Sequence, residues 1–232
     1  MKSATLSLAA MLAITSCAAP GRPAAGTRAI RPSEILDFSL LYGQQCAACH
    51  GMNGQGGLSI GLANPVYLAI ADDATIRRIT AQGVPGTTMP AFAQEAGGFL
   101  TDAQIDALVG GIREHWVKPG AFDNQKPPAY AASQPGNPRR GQSAFNTICS
   151  SCHGPDGRGG QAGSIVDSSY LALVSDQHLR TVIITGMPHL GMPDWRDHPK
   201  PLSDPDVTDI VAWLVSQRMP LSAQLNHSGG SE

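Results

Sequence analysis

The sequence predicts an all-α chain built from two tandem copies of one small domain. Three observations carry that prediction. Cys46-Ala-Ala-Cys49-His50 returns as Cys149-Ser-Ser-Cys152-His153, 103 residues later. The same displacement aligns residues far outside the motif. Apolar residues recur at helical spacing behind capping sequences, and no convincing alternating strand pattern appears.

The displacement maps Tyr67-Leu68 onto Tyr170-Leu171, Arg77 onto Arg180, Gly83 onto Gly186 and Pro85 onto Pro188. It also maps Met89-Pro90 onto Met192-Pro193 and Phe92 onto Trp195, and after a one-residue slip Leu100-Thr101-Asp102 matches Leu202-Ser203-Asp204. A fixed period of this kind marks a tandem duplication, with copies expected over 33–118 and 139–218. Between them, residues 119–138 hold Pro119, Pro127, Pro128, Pro135 and Pro138 and read as a semi-extended linker.

Within each copy the elements follow from local signals. Ser33 is expected to cap a first helix whose Ile35, Leu36, Leu40 and Leu41 lead into the cysteine motif. Thr101 to Gln104 reads as a capping box, and the helix behind it carries Ile105, Leu108, Val109, Ile112 and Trp116 on one stripe. Ser203 to Asp206 starts its counterpart, with Val207, Ile210, Val211 and Leu214. Shorter helical turns are expected over 73–81 and 176–185.

The chemistry lies in the paired motif. Thiols three residues apart on one helical turn face the same way. Both can add to the two vinyl groups on one edge of a porphyrin, and the next residue then offers an imidazole to the iron. A redox disulfide or half a zinc site would leave the adjacent histidine without a purpose. Cys46, Cys49, Cys149 and Cys152 are therefore the expected attachment points of two covalent haem c groups, with His50 and His153 as proximal iron ligands. The glycine-rich runs 51–57 and 154–160 lack the lysine ending of a phosphate loop and any preceding strand.

Together these features resemble class I cytochrome c, an α-helical domain whose first and last helices cross beside one covalent haem. The resemblance covers both copies nearly end to end. Its pattern places glycine eight residues before the first haem cysteine and an aromatic residue four before it. The second copy matches with Gly141 and Phe145; the first has Tyr42 but carries Phe38 where glycine is expected. The facing helices differ too, with Gly110-Gly111 in the first copy and Ala212-Trp213 in the second. A size swap is expected, with Phe38 over the first pair and Trp213 beside Gly141.

The resemblance also implies a distal methionine. Met89 sits in a Gly- and Pro-rich loop like that of the family, and register selects Met192, not Met187, as its counterpart. His189 and His198 lie off register, His115 and His178 read as helix-surface residues, and His227 falls in the flexible tail expected over 219–232. Tyr67, Tyr170, Arg77 and Arg180 are candidates either for propionate contacts or for plain helix surface.

Lys2 and the apolar run from Leu6 to Ile14 read as a signal peptide over 1–16, too short to cross a bilayer as a folded helix. Ile14-Thr15-Ser16-Cys17 resembles a lipobox, which makes Cys17 the lipidation site and 17–32 a tether. Export to the periplasmic side of a bacterial membrane follows, with the outer membrane favoured by Ala18. A formal net charge of −2 argues against a nucleic-acid partner. Ligation by histidine and methionine at both irons points to a non-enzymatic carrier of single electrons between redox proteins of an exported respiratory or photosynthetic chain, donor and acceptor unidentified. The competing reading is a dihaem peroxidase with one labile distal ligand.

Overall fold

The computed structural model describes residues 30–122 and 125–218. The expected signal peptide, Cys17, most of the tether and the 219–232 tail lie outside them. Among the described residues the chain is helical, with only isolated bridges at Ala93–Leu100 and Met187–Met192.

The first copy contains α1 (Phe38–Gln45), α2 (Ala47–His50), α3 (Pro65–Ile70), α4 (Asp73–Gln82) and α5 (Asp102–Trp116). The second repeats the order with α6 (Pro138–Ile148), α7 (Ser150–His153), α8 (Ser168–Leu173), α9 (Asp176–Thr185) and α10 (Asp204–Ser216). The predicted capping box forms at Thr101/Gln104, and Ser203/Asp206, expected only to start α10, forms a second one.

Ser33 does not cap the first helix. Pro32–Glu34 is an isolated 3-10 turn, Ile35 is extended, and α1 begins behind Asp37, whose Oδ1 accepts from Leu40 N at 2.7 Å. Leu36 and Leu40 stay exposed while Leu41 and Tyr42 enter the core. An aspartate in β conformation four residues downstream serves the free N–H groups of the helix, and the apolar spacing restarts from there.

Each copy has its own core. Leu41, Tyr42, Ile105, Leu108 and Ile112 centre the first; Phe145, Leu171, Ile184, Ile210 and Trp213 centre the second. The expected size swap is present. A Cβ on Gly111 would stand 2.2 Å from the Phe38 ring, whereas Gly110 faces open space. A Cβ on Gly141 would stand 1.9 Å from the Asp209 carbonyl and 2.9 Å from Trp213 Cβ. Each helix crossing therefore closes on glycine from one side and an aromatic residue from the other.

The linker is packed against both copies. Phe122 lies against the second core, with the Arg196 guanidinium 5.2 Å over its ring, and Tyr130 lies against the first core. The Ala129 and Tyr130 carbonyls accept from Arg180, and Gln177 also donates to Tyr130 O at 2.8 Å.

Asp209 ties the start of α6 to α10. Its carboxylate accepts from Arg140 Nε at 2.6 Å and from Asn137 N at 2.6 Å. The Arg140 guanidinium chiefly, with the Asn137 amide, holds this carboxyl below the usual carboxylate range. A depressed folded pKa contributes stability above the unfolded value, about 4, and that stability is lost as pH falls through the folded value. Thermal melts against pH should show the second domain losing stability below about pH 4. Asp209→Asn should start lower and lose that part of the slope.

Candidate functional site

Each cysteine motif occupies a break between two helices. Cys46 ends α1 and precedes α2, and Cys149 stands likewise between α6 and α7. One turn later the chain leaves helix at Gly51 (φ +81°) and Gly154 (φ +75°), where only glycine turns back without strain. The loops then match bond for bond. Gly56 N reaches His50 O and Gly159 N reaches His153 O, both at 2.9 Å. Ser59 N bonds Cys49 O at 3.0 Å, and Ala162 N bonds Cys152 O at 2.9 Å.

This loop sets the histidine. His50 Nδ1 lies 2.8 Å from the Ile60 carbonyl, and His153 Nδ1 lies 3.4 Å from the Gly163 carbonyl, ten residues on in each copy. A carbonyl only accepts, so Nδ1 carries the proton and the Nε2 lone pair is left for a metal. His50 is buried; its neighbour Tyr42 donates to Gly51 O at 2.8 Å, and Trp116 closes on Gly54.

The four motif cysteines form no disulfide; Cys46 and Cys149 are half-buried and Cys49 and Cys152 exposed. Burial, reinforced by the neighbouring thiol, pushes Cys46 and Cys149 up to about 11. A redox cysteine pair needs the opposite shift. No cluster of three or more metal-binding side chains completes a zinc site among the described residues. Two thiols and an imidazole with a free Nε2 are the donor set that covalent haem requires, and both copies supply it.

The methionine loops also superpose in register. Val84 N bonds Met89 O, and Met187 N bonds Met192 O, both at 3.0 Å. The glycine before each loop, Gly83 or Gly186, has positive φ and packs against the carbonyl of that methionine. Met192 thus holds the place of Met89, and Met187 that of Val84.

Other predicted residues fall elsewhere. Arg77 donates to Asp102 and Asp106, and Arg180 is buried in bonds to the linker, Thr208 and Asp204. Tyr67 is buried in the first core and Tyr170 borders the second. His115 stays on the helix surface, stacked on Phe38 with centroids 4.7 Å apart. His178 is not a surface residue. It is half-buried, and burial, then the neighbouring His50, lower its pKa. His189 turns away from its own motif: its ring lies against Gly56 of the first copy, 2.6 Å from where a Cβ would stand. His198 is half-buried, its Nε2 without a protein partner, as is Trp195 Nε1. Asn64, unremarked in the sequence, donates to Thr185 O at 3.0 Å across the two copies.

Two helical domains that each join a haem-binding cysteine pair, a histidine with free Nε2 and a methionine loop define a tandem dihaem class I cytochrome c. The chain belongs to the family described as cytochrome c oxidase, cbb3-type, subunit III, whose profile matches residues 34–110 and 136–214. Among its relatives, a cytochrome bc1 complex cytochrome c subunit of Mycobacterium bovis is 27% identical over 175 residues, covering 75% of this chain and 60% of the relative. A subunit of the same description from Corynebacterium efficiens is 26% identical over 194 residues, covering 79% and 63%. The cbb3-type cytochrome c oxidase subunit CcoP of Azospirillum sp. is 28% identical over 151 residues, covering 58% and 46%. The chain thus spans about 60% of the length of the first of these relatives. Family membership and the doubled domain bring two covalently bound haem c groups. No described helix is long and apolar enough to cross a membrane.

Proposed function

We propose that the chain is a lipid-anchored dihaem carrier that passes single electrons between redox proteins of an exported respiratory or photosynthetic chain. Cys46 and Cys49 hold one haem and Cys149 and Cys152 the other. His50 with Met89, and His153 with Met192, are the axial pairs, and Cys17 is the anchor. The observation that carries this reading is the matched register of the two sites. In each, a carbonyl ten residues on holds the histidine Nδ1 and an equivalent loop carries a methionine that would supply a thioether, which would leave neither iron a position for substrate. When bound, the haem irons supply reversible one-electron storage, and methionine ligation raises their potential. The chain's cysteines would hold the rings, the Ile60 and Gly163 carbonyls fix the imidazole tautomers, and Met89 and Met192 would supply the second ligands. Relatives described as subunits of the bc1 complex and of a cbb3-type oxidase make a membrane respiratory complex the favoured partner.

A potentiometric titration should resolve two one-electron steps. Met89→Ala should lower one potential and Met192→Ala the other, with Met187→Ala leaving both in place. A shift with Met187→Ala in place of Met192→Ala would refute the register. Membrane fractionation tests the anchor: Cys17→Ala should move the protein to the soluble fraction.

A further inference from the structure

The two copies offer an internal comparison at one helix cap. Asn64 caps α3, its Oδ1 accepting from Val66 N at 2.8 Å and Tyr67 N at 3.3 Å. Its counterpart 103 residues on, Asp167, caps α8 in the same way, accepting from Ser169 N at 2.9 Å and Tyr170 N at 3.1 Å. Capping therefore needs only the acceptor oxygen, and a carboxylate serves as well as an amide. The amide adds a donor. Asn64 uses it, through Nδ2, on the Thr185 carbonyl of the second copy at 3.0 Å, while Asp167 is exposed.

Both ends of this bond lie on the haem sites. Asn64 N bonds Gly61 O at 3.2 Å, directly after the Ile60 carbonyl that holds His50 Nδ1. Thr185 is 1% exposed and ends α9 one residue before Gly186, which packs on the Met192 and Pro193 carbonyls. Two further contacts flank the bond: Val66 is buried in the second core, and the His189 ring covers Gly56.

We propose that the Asn64 amide is a positioning latch that fixes the proximal loop of the first site against the distal turn of the second. The two sites then behave as one coupled pair. That it couples redox centres rests on the electron-carrier reading; the latch itself does not.

Asn64→Asp tests it, because the second copy shows that aspartate caps this helix. The substitution keeps the cap and sets a carboxylate against a carbonyl. In the intact dihaem protein, hydrogen exchange should accelerate about tenfold, and together, in residues 54–66 and 182–192, since local opening is released when the bond is lost. The added charge should also lower the midpoint potentials of both haems. The mirror change, Asp167→Asn, keeps the cap and should leave exchange in both segments alone. Unchanged exchange over 182–192 in Asn64→Asp would overturn the latch. Equal effects from Asp167→Asn would assign the change to capping and overturn it too. Coupled exchange in a protein without reversible one-electron steps would keep the latch and refute the carrier reading.

Discussion

Gly141→Ala is expected to destabilise the second domain by about 2 kcal/mol or more while the first domain melts unchanged. The added methyl would sit 1.9 Å from the Asp209 carbonyl, which is backbone of α10 and cannot rotate aside. Overpacking of a tight contact costs about 3 kcal/mol at the upper end. Helix propensity returns only about 1 kcal/mol. Gly110→Ala is the control, because nothing lies within 4 Å of its Cβ position. That variant should stabilise the first domain by up to about 1 kcal/mol. Gly111→Ala should fall between them, since its obstacle is the Phe38 side chain, which can shift. Domain-resolved thermal melts check all three.

Arg180→Ala is expected to cost about 3 kcal/mol. Its side chain is 3% exposed and bonds the Ala129 and Tyr130 carbonyls, Thr208 and Asp204. Removal leaves the Ala129 carbonyl without its donor, takes one donor each from Tyr130 O and the Asp204 carboxylate, and leaves Gln177 to hold the linker to α9. Arg77 holds the same register in the first copy but is 39% exposed, with partners 69% and 61% exposed. Arg77→Ala should therefore cost less than about 1 kcal/mol. The contrast comes from the linker, whose carbonyls accept from Arg180, whereas Arg77 bonds two exposed carboxylates. Urea unfolding of the two variants, read at each domain, measures it. Equal losses would mean that the linker contacts contribute little.

Much of this architecture was legible in the sequence because it is local or periodic. The cysteine motifs, the capping box at Thr101 and the helix over 176–185 are read from neighbours within one or two turns. The size swap was legible for a different reason. A missing glycine at Phe38 had to be answered somewhere, and Gly110-Gly111 stood where the answer was needed; the structure assigns it to Gly111. The register of Met192 over Met187 was set by the repeat, and the loop hydrogen bonds agree.

What escaped the sequence is contact between the copies, which leaves no period in either. His178 reads as helix surface until α3 and α9 meet, and His189 reads as a stray ligand until Gly56 receives its ring. Ser33 and Asp37 are both good caps, and tertiary packing of Leu41 and Tyr42 chose between them. Arg180 was legible only as a repeated charge, because a proline-rich stretch carries no signal for where it docks. One signal was present and unread: Asn64 facing Asp167 in register, two residues equal as caps and unequal as donors.

The central claim is that both haems are closed by histidine and methionine and serve electron transfer alone. Carbon monoxide added to the fully reduced dihaem protein, followed in the visible spectrum, tests it most directly. No spectral change is expected, because the proposed histidine–methionine pairs would leave neither iron a free or labile position. A shift in half of the haem would contradict it, by showing that one distal site opens and can admit a substrate.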